Sequence, residues 1–108
     1  MSWAGYATKM LKEGKEVAVR PRGNSMMPKV HSGQEVILAP YPPGQEPEVN
    51  DIVLVRCKGR VYLHLVKARR GGAKDRQYQI GNNKGRINGW VSRKAVYGQA
   101  IELRPKGE

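Results

Sequence analysis

Residues 51–66 read DIVLVRCKGRVYLHLV, and the fold turns on how that run divides. Branched aliphatic residues fill both halves, and Lys58-Gly59 between them is a compact hairpin signal. Ile52–Cys57 and Arg60–Lys67 are therefore expected to be paired strands. In the second arm Val61, Leu63 and Leu65 fall on one face, with Tyr62 and Val66 on the other. Strands that are apolar on both faces belong to a central sheet or a coiled barrel.

The pattern extends in both directions from that hairpin. Upstream, Val17 and Val19 alternate with polar neighbours in a strand expected over Glu16–Arg20. A turn follows over residues 21–28, and Glu35–Ala39 forms the next strand. The run from Pro40 to Pro47 cannot sustain a ladder, because proline has no amide donor, and it reads as an exposed loop. Downstream, Arg76–Ile80 is a strand, Asn88-Gly89 before Trp90-Val91 marks a tight turn, and Ala95–Leu103 closes the fold. At the start, Ser2 caps a short helix over residues 2–13 whose Trp3, Ala7, Met10 and Leu11 share one face, with Gly14 ending it. The expectation is one mostly β domain over residues 1–108: the helix, a β core at 16–103 and a frayed tail at 104–108.

Bulk properties agree with this and narrow the function. A chain of 108 residues holds one core and is too short for two. The formal net charge of +11 invites a nucleic-acid or other acidic partner. The cations are spread along the chain, however, and the densest group surrounds Gly71-Gly72 with no zinc finger or basic-region helix beside it. Within that group Arg69, Arg70 and Lys74 are the candidate anion contacts. Cys57 is the only cysteine, so neither an internal disulfide nor a thiolate metal cage is available, and no metal or other cofactor is implied. Its strand context makes it a buried structural thiol. No apolar run approaches the roughly 20 residues that span a bilayer, and no signal segment opens the chain. The cytoplasm is the default compartment.

The chemistry concentrates at Ser25. It sits in Gly23-Asn-Ser-Met-Met-Pro28, a turn directly after a strand, where backbone amides at Asn24 and Ser25 are placed to hold one oxyanion. A serine needs a base, because its own hydroxyl is inert near neutrality. Of the two histidines, His31 lies in a polar turn. His64 lies mid-strand among hydrophobes, where an imidazole is desolvated and held by stiff neighbours. On residue type alone, a core histidine bonded to a carbonyl is the favoured reading of His64.

A resemblance bears on that choice. Ser25-Met26-Met27-Pro28, followed after four residues by Gly33, resembles the serine box of signal peptidases and of self-cleaving repressors of the LexA type. Asn50-Asp-Ile-Val-Leu-Val55 is similar to the family's G-D-I-V-x-V strand, and Tyr62-Leu-His-Leu-Val66 falls where the family carries its base. Gly81-Asn82-Asn83 resembles the G-D-N box, and Gly98-Gln99-Ala100 the closing G-x-A strand. The order of these boxes is the family's. The resemblance implies a coiled, largely antiparallel β fold, with Ser25 as nucleophile and His64 as general base, 39 residues apart (64 − 25). Asn24, Met26, Asn83 and Asn88 become candidates for oxyanion or positioning contacts, and Met27 and Pro28 for substrate contacts. A peptide or protein would bind as an added strand.

The chain also departs from the pattern. Asn82 replaces the acidic residue of the G-D-N box, Asn88 and Gly89 stand where histidine-type enzymes carry aspartates, Leu65 replaces an arginine, and Gln34 an acid. Orienting His64 therefore falls to Asn83, Asn88 or a backbone carbonyl. Ala4-Gly5 matches the dipeptide cut by the self-cleaving repressors, which raises self-trimming as a further expectation. The sequence supports a small soluble serine protease with a Ser25–His64 dyad. The alternative is an inactive member of the same fold, used as a basic binding module for nucleic acid or a protein partner.

Overall fold

In the computed structural model, which describes residues 2–105, the chain is mostly β with one short N-terminal helix. The helix α1 (Trp3–Lys12) precedes seven strands: β1 (Val17–Val19), β2 (Val36–Ala39), β3 (Ile52–Cys57), β4 (Arg60–Arg70), β5 (Gln77–Gly81), β6 (Ile87–Ser92) and β7 (Val96–Leu103). They form a single sheet in the order β1-β2-β7-β3-β4-β5-β6, with every neighbouring pair antiparallel. The β3–β4 hairpin lies at the middle of that order, turning through Lys58 and Gly59, both at positive φ. No helix among the described residues is long and apolar enough to cross a membrane.

The two-faced character of the hairpin places a core on each side of the sheet. Leu54, Leu63 and Leu65 point to one side, where they meet Val36, Leu38 and the α1 residues Ala7 and Leu11. Val53, Val55 and Val66 point to the other, against Tyr78, Ile80 and Val91. Each fully buried branched side chain contributes about 1.5–3 kcal/mol of burial, so these alternating rows fix the register. Ser2 caps α1 by accepting the Gly5 amide, and the helix lies across the first core.

Four local readings differ from this architecture. Strand β4 continues past Lys67 to Arg70, because β5 pairs with its far half, setting Arg69 opposite Tyr78 and Arg70 opposite Gln77. The Pro40–Pro47 segment is not simply exposed: Tyr41 and Pro47 are buried, and the Tyr41 hydroxyl donates to Asp51 at 2.7 Å. Arg104 is tied down rather than frayed, donating its amide to Glu35 O and its guanidinium to the Glu35 carboxylate; residues 106–108 of the expected tail lie outside the described residues.

The fourth difference matters most. Asn88-Gly89 is not a hairpin turn. Ile80 pairs with Gly89 and Gly81 with Ile87, so Asn88 is an extra residue bulged out of β6. The turn falls earlier, at residues 82–86, where Asn82 Oδ1 accepts the amides of Lys84 and Arg86 and Gly85 takes a φ of +92°. A side chain that satisfies two amides outcompetes the Asn-Gly pair as the turn former.

Gly98 on β7 shows how tightly the helix is set against the sheet. A Cβ at this position would stand 2.6 Å from the Ala39 carbonyl oxygen and 3.0 Å from a Leu11 methyl. Gly98→Ala is expected to destabilise the fold by about 1–3 kcal/mol through overpacking against backbone that cannot yield. A urea denaturation midpoint equal to that of the parent protein would refute it.

Candidate active site

Ser25 is held by a loop whose apolar residues are anchored in the core. After β1 the chain passes Pro21 and Gly23, where the Gly23 amide donates to Ser32 Oγ at 3.0 Å. Met26 and Val30 are buried in the first core, and the Val30 amide closes the turn onto Met26 O. Asn83 fastens the loop from the other side. Its amide donates to Ser25 O and its side-chain NH2 to Met27 O, each at 3.0 Å. The 82–86 turn thus clamps the serine loop at two carbonyls. The amides of Asn24, Ser25 and Met26 donate to no described residue, and Ser25 and Met26 line a cleft.

His64 comes to Ser25 from β4. It stands opposite Val53 in the sheet and is only 6 % exposed. Two residues earlier on the same face, Tyr62 stacks on the imidazole with ring centroids 4.7 Å apart. Nε2 lies 3.3 Å from Ser25 Oγ, and Nδ1 lies 2.7 Å from Asn88 Oδ1. An amide oxygen can only accept, so Nδ1 carries the proton and donates it to Asn88. Nε2 is then left as the acceptor for the Ser25 hydroxyl, the tautomer a general base requires. The bulge in β6 is what carries Asn88 to this position.

Burial lowers the His64 pKa below its ordinary 6.5; the hydrogen bond to Asn88 opposes this, and the charge of Arg86 adds to the lowering. Two consequences follow. A general base with this lowered pKa would still be neutral just below pH 6.5, so for a reaction that uses His64 in that role the acid limb of kcat/KM is expected under that value. Arg86→Gln should move the limb upward, and a limb above pH 6.5 in the parent protein would contradict the assignment. For stability, the unfolded chain binds more protons than the folded one between the two pKa values. The contribution of His64 is therefore complete above pH 6.5 and is lost as pH falls below it.

Ser25 and His64 open onto a cleft of about 180 Å3 whose lining includes Trp3, Met26, Val30 and Tyr62. Met27 and Pro28, expected to touch substrate, do not line it; the Met27 carbonyl accepts from Asn83, and Pro28 is exposed. Asn88, not Asn83, orients the histidine. Asn82 spends its side chain on its own turn. The Ala4-Gly5 bond lies in the first turn of α1, away from any extended conformation in which it would be cut. Arg69, Arg70 and Lys74 are remote from the cleft. The Arg69 guanidinium donates to Pro47 O, and that of Arg70 donates to Gln77 and lies 4.1 Å over the Trp90 ring. Lys74 rims a separate cleft with Arg76, Arg93 and Lys94.

The cleft includes residues that sequence reasoning missed. Tyr62 was legible, since it shares the His64 face two positions away. Trp3 and Arg22 carried no such signal, because only the docking of α1 and the path of the loop bring them to the site. Neither a scan of protein-family models nor a search of curated proteins returns a match to this chain.

Proposed function

We propose that this protein is a serine protease of the signal peptidase and LexA-type repressor fold, acting through Ser25, His64 and Asn88. The observation that carries the reading is the continuous hydrogen-bond line from Ser25 Oγ through His64 to Asn88 Oδ1, at the wall of an open cleft. A peptide enters as an extended strand along the cleft. Ser25 Oγ attacks its carbonyl carbon while Nε2 takes the hydroxyl proton, and free loop amides hold the oxyanion. His64 returns that proton to the leaving amine, which departs as the C–N bond breaks. Water, deprotonated by the same nitrogen, then hydrolyses the ester and frees Ser25. The lone thiol, Cys57, is buried and suits a reducing, cytoplasmic setting. A fluorophosphonate probe tests the site directly: the expected result is a single adduct on Ser25, absent from His64→Ala. A probe that leaves Ser25 unmodified would sink the reading.

One observation favours a second reading, a basic binding module. Lys74, Arg76, Arg93 and Lys94 border one cleft whose lining acids are Glu46 and Asp75. Single-stranded nucleic acid bound there should lose affinity steeply with salt, with a smaller log–log slope in Lys74→Ala. Binding unchanged between low and high salt would dismiss it.

A further inference from the structure

The cleft has charge of only one sign. Its lining includes Arg22 and no carboxylate. The acids elsewhere are largely engaged: Glu35 with Arg20 and Arg104, Glu46 with Arg76, Glu13 with Lys15, Glu102 with Arg104, Asp51 with Tyr41, and Asp75 with the Gly72 amide. Arg22 itself is exposed and makes no ion pair or hydrogen bond with any described residue. That sets it apart from Arg20, two residues earlier, whose guanidinium is committed to Glu35 and the Gly33 carbonyl. Arg86 adds a second uncompensated positive charge, close enough to lower the His64 pKa.

We infer that the preferred substrate is an acidic peptide segment, with an aspartate or glutamate near the bond that is cut and its carboxylate docked on Arg22. This rests on the protease reading. A guanidinium offers a planar fork that matches a carboxylate with two parallel hydrogen bonds, and an unengaged one at a cleft wall is preset for that contact. Arg22 stands three residues before Ser25 in the chain. At about 3.3 Å per extended residue, a substrate strand alongside would present to it a side chain within about three positions of the cut. The absence of lining acids matters as much. A net charge of +11 with no local counter-charge draws an anionic segment into the cleft and opposes a cationic one.

The test uses the full chain and an equimolar synthetic peptide library with randomised central positions, its cuts read by mass spectrometry. Preference is scored within each protein as the ratio of cuts near Asp or Glu to cuts near Asn or Gln, so differences in overall rate cancel. Parent protein should favour acidic flanks about tenfold at low salt, falling several-fold at high salt because Arg22 is exposed. Arg22→Gln should flatten the ratio and Arg22→Glu should shift preference to Lys and Arg flanks. Cutting by the parent protein with no acidic enrichment overturns the inference and leaves the protease reading standing. Enrichment that survives in Arg22→Glu likewise removes Arg22 as the reader. No cutting at all, together with a Ser25 that the fluorophosphonate probe leaves unmodified, overturns both.

Discussion

Ser25→Ala should lower kcat/KM for peptide cleavage by on the order of 10⁴–10⁶, the loss seen when a serine nucleophile is removed from a hydrogen-bonded catalytic unit. His64→Ala should cost a similar amount. The informative result is the double variant. If nucleophile and base act as one unit, Ser25→Ala/His64→Ala will be no slower than either single change, because the second removal takes away a group that already has no partner. Additive losses would mean that His64 acts on the reaction independently of Ser25. The geometry argues for the unit: the 3.3 Å separation of Oγ and Nε2 is at the loose end of a hydrogen bond and within the reach a general base needs. Ser25→Ala should harm the fold little, whereas His64→Ala empties a buried position and leaves Asn88 without its donor, at a cost of about 1–3 kcal/mol. Ser25 supplies only its carbonyl to the scaffold, through the Asn83 amide, and alanine keeps that carbonyl. A circular dichroism melt within a few degrees of the parent would separate lost chemistry from lost structure.

How much of this was legible beforehand follows from how far each feature depends on local pattern. The β3–β4 hairpin was readable to the residue at β3, because alternation and the Lys58-Gly59 turn are both local. The approach of His64 to Ser25 was readable because a serine in a glycine turn and a histidine between leucines each fall within stretches that resemble one family's boxes in the same order. The orienting group could be narrowed only to Asn83, Asn88 or a carbonyl. Its identity depends on a one-residue register slip between Ile80 and Gly81 that no local pattern encodes. The same slip explains why Asn88-Gly89 misread as a turn: in isolation it has the right residues, and only the competing Asn82 turn denies it the role. The role of Gly98 is of the same kind. A glycine in a strand hints at close approach, but Leu11 and Ala39 become its neighbours only after α1 docks. Trp3 at the cleft, some twenty residues from Ser25 in sequence, needed the docked helix as well.

Asn88 is the residue whose substitution separates the roles most sharply. Asn88→Ala removes the acceptor on Nδ1, so the imidazole no longer favours the tautomer that presents a lone pair to Ser25. The expected fall in kcat/KM is on the order of 10²–10⁴, with KM little changed. Leaving Nδ1–H unpaired in a site where His64 is 6 % exposed should also cost about 1–3 kcal/mol of stability. Asn88→Asp keeps the acceptor and adds charge. A carboxylate stabilises the imidazolium that forms as Ser25 attacks, which the neutral amide does only weakly, and it raises the His64 pKa. That variant should match or exceed the parent rate by up to about tenfold at pH 8, while its acid limb moves to higher pH. The two profiles read together are decisive. A limb that stays in place in Asn88→Asp would show that position 88 does not touch the titrating group, and rates in Asn88→Asp as low as those in Asn88→Ala would show that more than an acceptor is required there. The opposite pattern, retained rate with a displaced limb, would mean that this chain replaces the missing aspartate of the histidine-type pattern with an amide presented on a β-bulge.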